Sequence, residues 1–146
     1  MNYSRLVMAA VVAWVVSLPL GYFINTVLFA GLAAANAAAM RPEAALYAKL
    51  PYGFAALLIG FLAFAYMYAK GYEGGSGVAE GFRFGILVGI LVVGFGTVWQ
   101  YVMFPINWQL SAATIADSIV EAAIYGAIIG AIYKPTGIAA VRPAAI

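Results

Sequence analysis

WQLSAATIADSIVEAAIYGAIIGAIYK, residues 108–134, is the stretch from which the rest of the chain can be read. It is long and apolar enough to cross a bilayer, which takes about 20 residues of helix, yet Asp117 and Glu121 lie well inside the crossing. At about 100° per residue, Ser111, Thr114, Asp117, Ser118, Glu121 and Tyr125 fall in one stripe covering about a third of the helix circumference. Gly126 and Gly130 lie nearly opposite. One face therefore asks for polar company, and the other lets a neighbouring backbone come close. An ionisable group at that depth costs on the order of 2.5 kcal/mol or more, which marks the acid pair as a functional-site hypothesis.

The composition agrees with a membrane setting. Of 146 residues, 66% are hydrophobic and 8% charged, with a mean hydropathy of +1.02, whereas soluble domains are about 25% charged. The expected fold class is all-α: one integral membrane domain over residues 1–146, a four-helix bundle with a short interfacial helix in the first loop. Its partner is the lipid bilayer. A net charge of +2 without a basic patch gives no reason to expect nucleic acid. Cys and His are both absent, which excludes thiol chemistry, disulfides, Cys/His zinc sites and His-ligated haem. No cofactor and no metal are expected. Two acids on one helix face, with no third acid and no nucleophile–base pair, do not make an enzyme.

Four apolar runs, at about 6–29, 51–69, 78–104 and 108–134, are the expected spans. In the first, Pro19 removes a helix hydrogen bond and predicts a kink, while Ser17, Gly21 and Asn25 form a narrow polar stripe. Arg41-Pro42-Glu43 reads as a helix start, so the interfacial helix is placed from Pro42 to about Lys49. Ala56 and Gly60 give the second span a small-xxx-small pair, and Tyr52, Tyr66 and Tyr68 are expected as interfacial anchors near its ends. Lys70-Gly71-Tyr72-Glu73-Gly74-Gly75-Ser76-Gly77 is expected to be a tight, mobile turn. It lacks the Gly-Lys-Ser/Thr ending of a phosphate-binding loop.

In the third span Gly81, Gly85 and Gly89 repeat every fourth residue, and Gly96 returns to that face a heptad later. This glycine zipper suits close helix packing. Glu80 and Arg83, three residues apart, can pair at headgroup level. Trp99, Tyr101 and Trp108 bracket the short loop at 104–107 and mark the opposite interface. Gly126 and Gly130 form a second seam. Whether the first seam meets its own chain or another copy is open from sequence, and a surplus seam suggests an oligomer or a partner subunit.

Arg5, Lys70, Arg83, Lys134 and Arg142 lie on one side of this topology, and Arg41 and Lys49 on the other. The imbalance favours both termini in the cytoplasm. Depth matching then brings Asn25 and Gln100 near Asp117 and sets Ser17 level with Glu121. No Lys or Arg lies deep enough to neutralise the acids, so at least one is expected to carry a proton or a bound cation.

AKGYEGGSG at 69–77, EGFRFG at 80–85 and IYKP at 132–135 together resemble a group of small uncharacterised bacterial four-helix inner-membrane proteins. The resemblance implies a four-helix fold and a bacterial inner membrane, and it implies no activity. The leading expectation is a non-enzymatic protein that works by helix packing, as a homo-oligomer or as a small accessory subunit of a membrane complex. The alternative is a small proton- or cation-coupled transporter or channel using Asp117 and Glu121.

Overall fold

The computed structural model describes residues 1–134; Pro135 and Arg142 lie outside the described residues. Every regular element among those residues is helical. The order is α1 (Tyr3–Phe23), a π-helical turn (Ile24–Leu28), α2 (Ala30–Ala35), a 3-10 turn (Ala37–Ala39), α3 (Glu43–Tyr47), α4 (Leu50–Lys70), α5 (Gly77–Val92), a second π-helical turn (Val93–Thr97), α6 (Val98–Met103) and α7 (Trp108–Ile132). Four continuous helical stretches, Tyr3–Leu28, Leu50–Lys70, Gly77–Met103 and Trp108–Ile132, are long and apolar enough to cross a membrane. That architecture fits a multi-pass membrane protein. The chain start, the glycine-rich loop and the end of α7 share one end of the bundle, hereafter the terminal end. The far end carries α2, α3 and the 104–107 turn.

At the centre stands α7, which packs against α1, α4 and α5. Its closest neighbour is α5, and small residues explain why. A Cβ placed on Gly85 would lie 2.7 Å from the Ala123 Cα, and one on Gly126 would lie 2.8 Å from the Gly85 Cα. Gly77, Gly81 and Gly89 make equally close approaches to Gly130, Gly126 and Ile119. The two glycine runs are therefore one seam, closed within the chain. Gly126 and Gly130 are not surplus to the fold, and the expectation that they face a second copy or a partner is corrected. Gly77, expected in the loop, belongs to the seam.

Gly96 does not. A Cβ there, or on Gly94, would meet nothing within 4 Å, because the π-helical turn at Val93–Thr97 inserts an extra residue and rotates the remainder of the span. Thr97 takes the inward position instead and is buried. Pro19 is likewise accommodated inside continuous α-helix, and the departure from α geometry falls downstream at Ile24–Leu28.

Against the other side of α7 lies a core of Leu6, Ala9, Ala10 and Ala13 from α1, Phe61, Phe64, Ala65 and Tyr68 from α4, and Tyr125, Ile129 and Tyr133. The three fully buried alanines let α1 come close enough for α4 and α7 to close over them. Tyr68 is 1% exposed and stands edge-on to Tyr133 with ring centroids 6.0 Å apart. It is a core residue, not an interfacial anchor. Tyr52 and Tyr66 are exposed, with the ammonium groups of Lys49 and Lys70 each 5.6 Å from a ring centroid. The small-xxx-small pair Ala56 and Gly60 receives no close helix among the described residues: both are exposed, and a Cβ on Gly60 would meet nothing within 4 Å. The first loop is more helical than expected, with α2 continuing beyond the first span and α3 confined to Glu43–Tyr47.

Candidate functional site

The polar stripe begins where α7 begins. Asn107 caps the helix, its side-chain oxygen accepting from the Leu110 N–H at 2.9 Å; removing such a cap costs about 1 kcal/mol. Asn36 in turn fixes Asn107. Its amide nitrogen donates to the Leu32 carbonyl at 2.8 Å, and its oxygen accepts the Asn107 N–H at 2.7 Å. Asn36 is buried and is not among the residues the sequence points to. An Asn closing one apolar helical stretch, and another opening α7, is the signal that could have found it.

Further along α7, the single Thr114 hydroxyl proton is shared between the carbonyls of Leu110 and Ser111, each at 3.0 Å. Ser118 donates to the Thr114 carbonyl at 2.7 Å, while its oxygen lies 3.1 Å from the Thr97 hydroxyl. A hydroxyl has one proton, so with Ser118 donating to Thr114 the bridge runs from Thr97 to Ser118. This is where the π-helical turn matters. The third span packs on the glycine face of α7 near the terminal end and reaches the serine–threonine face beyond the turn. The inter-helix bridge is worth about 0.6 kcal/mol on the scale measured for such bonds in bilayers.

Glu121 and Tyr125, one helical turn apart, are joined directly, the Tyr125 hydroxyl donating to a Glu121 carboxylate oxygen. The Tyr125 ring is held edge-on by Phe61, centroids 5.0 Å apart at 83°. The glutamate is thus positioned through an aromatic neighbour locked in the core. Asp117 is half-buried and has no side-chain hydrogen bond among the described residues.

Several expected neighbours are elsewhere. Asn25 is exposed and donates to the Gly21 carbonyl of its own helix at 2.8 Å. Gln100 is exposed as well. Ser17 is buried but donates to its own Trp14 carbonyl at 2.7 Å. The structure therefore brings together Thr114, Ser118 and Thr97, and separately Glu121 and Tyr125, and leaves Asn25 and Gln100 on the periphery. Among the described residues, no group of three or more His, Cys, Asp or Glu side chains is placed to hold a metal ion.

A third acid is more fully enclosed than either of these. Glu80 is 7% exposed, and its carboxylate accepts the Glu73 N–H at 2.6 Å and the Gly75 N–H at 3.0 Å. The expected Glu80–Arg83 pairing is replaced by a carboxylate that binds the backbone of the glycine-rich loop. These two bonds tie the loop to α5, and Gly74 turns it at φ +86°.

Glu121→Gln is expected to leave folded yield and thermal stability within about 1 kcal/mol of wild type, because an amide oxygen still accepts from Tyr125. A calorimetric loss several times larger would show that the fold depends on the carboxylate's charge. Comparison with protein-family models, with curated proteins and with solved structures finds no match to this chain.

Proposed function

We propose that this chain is a non-enzymatic membrane subunit of a bacterial inner membrane, with both termini cytoplasmic, whose work is assembly with other transmembrane helices. The contact would be made by the far half of its surface. One observation carries the reading: Asn25, Thr26 and Gln100 stand exposed on stretches long and apolar enough to lie in lipid. Among the described residues the first two bond only to carbonyls of their own helix, at 2.8 Å and 2.7 Å. Polar side chains facing hydrocarbon are stabilised by a partner helix. The glycine seam is already closed internally, so the interface belongs on these groups. A second copy of the chain is the simplest partner.

Mass determination in nanodiscs tests this. Wild-type protein is expected as an oligomer, or as a stoichiometric complex when purified from native membranes. Combined Asn25→Leu and Gln100→Leu should shift it to a folded monomer. Wild-type protein that is monomeric in nanodiscs and enriches no second subunit from native membranes would overturn the reading.

Asp117 and Glu121 favour a second reading, proton or cation handling, because no Lys or Arg side chain is bonded to either acid among the described residues. A proteoliposome flux abolished by Glu121→Gln would establish it. Absence of any flux would leave the acids as structural members of α7.

A further inference from the structure

We propose that the terminal-end cleft between α4 and α5 binds one phospholipid with a primary-amine headgroup, of the phosphatidylethanolamine class. The inference rests on the membrane setting just proposed, though not on the assembly. α4 and α5 are consecutive and antiparallel, yet they meet mainly at one end, where Phe84 lies 5.8 Å from Phe64 and 5.7 Å from Tyr68 between ring centroids. Beside that contact opens a cleft of about 130 Å³, with Glu73 and Arg83 at its mouth and Phe84 and Leu87 along its wall.

The charges at the mouth decide the headgroup. Glu80 also borders the cleft, its two oxygens turned to backbone N–H groups of the loop, and it forms no ion pair with Arg83 among the described residues. Arg83 and Glu73 are both exposed, and neither forms an ion pair among the described residues. A guanidinium and a carboxylate lining one cleft, neither ion-paired among the described residues, complement a zwitterion. The guanidinium can take two phosphate oxygens in a forked pair, and the carboxylate can accept N–H bonds from a primary ammonium. A quaternary ammonium offers no such donors, and a glycerol headgroup brings no positive charge.

Deeper in, the geometry suits an acyl chain. Leu87 and Leu91 on α5, and Leu57 and Gly60 on α4, are exposed, and a Cβ on Gly60 would meet nothing within 4 Å among the described residues. A water-soluble phosphate ester would leave this apolar floor uncovered. A phospholipid covers it while its phosphate sits at the level of Arg83.

Native mass spectrometry on protein released from nanodiscs made of equal phosphatidylethanolamine, phosphatidylcholine and phosphatidylglycerol tests the proposal. One retained lipid is expected, with the ethanolamine lipid favoured about fivefold or more, equivalent to about 1 kcal/mol. Glu73→Gln should erase the preference without abolishing retention, whereas Arg83→Ala should lower retention of all three lipids. Gly60→Leu, whose Cβ meets nothing within 4 Å, should block the groove while thermal unfolding stays unchanged. Equal retention of the three lipids by wild type, a preference for the glycerol lipid, or indifference to both charge substitutions would overturn the site. Resistance of the same protein to alkaline extraction from membranes checks the membrane setting separately.

Discussion

Gly85→Leu is expected to remove most of the folded protein, and Gly126→Leu and Gly130→Leu should do the same. Each places a side chain where two backbones already touch: a Cβ on Gly85 would lie 2.7 Å from the Ala123 Cα, and one on Gly130 would lie 3.1 Å from the Gly81 Cα. Overpacking among side chains costs about 1–3 kcal/mol, because rotamers can adjust. Two helix backbones have no rotamers to change, so α5 and α7 would have to separate along the whole seam. The loss should therefore exceed about 3 kcal/mol, a large part of the stability of a small domain. Gly94→Leu and Gly60→Leu are the controls, since a Cβ at either position meets nothing within 4 Å. The measurement is the folded fraction recovered in detergent, with a thermal midpoint for what remains. Normal recovery of a Gly130→Leu monomer would put the seam's partner outside the chain.

How far the sequence reveals the bundle can be traced to individual residues. The four apolar stretches are legible because their length and hydropathy answer directly to the thickness of a bilayer. The every-fourth-residue spacing of Gly81, Gly85 and Gly89 is equally legible as a close-packing face, since an α-helix returns to nearly the same side in four residues. What it meets is not legible, because periodicity describes one helix and contact needs two. Only the position of α5 across Gly126 and Gly130 shows which way those two glycines face. Gly96 leaves the expected face for a different reason. A fixed 100° step assumes unbroken α geometry, and the π-helical turn at Val93–Thr97 breaks it. The same turn delivers Thr97 to Ser118, so this inter-helix bond of the polar stripe lies where helical arithmetic fails. Ala9, Ala10 and Ala13 do not stand out because alanine is commonplace in an apolar run, although Ala9, Ala13 and Ser17 repeat at the spacing that marks the glycine face elsewhere.

Glu80→Ala is expected to release the connection between α4 and α5 and to destabilise the terminal end. In a glycine-rich loop the chain gives up more conformational freedom on ordering than almost any other sequence would, so something must hold residues 71–76 in place. Glu80 lies in the first turn of α5, where a carboxylate is favoured by the helix dipole, and it reaches back to the N–H groups of Glu73 and Gly75. Hydrogen bonds to a charged acceptor contribute about 1.5–3 kcal/mol each, offset by the cost of enclosing the carboxylate. A net loss of about 2–4 kcal/mol is the expected result for alanine, with glutamine intermediate because its amide keeps one acceptor oxygen. Local opening should precede global unfolding, since Gly77 and Gly81 hold the start of α5 against Gly130 independently. Amide hydrogen exchange checks this directly: protection at Glu73 and Gly75 should fall in Glu80→Ala while protection within α7 is retained. If both amides exchange at the same slow rate in wild type and variant, Glu80 is not what fastens the loop, and the order there must come from the Tyr68 hydroxyl donating to the Gly77 carbonyl at 3.2 Å.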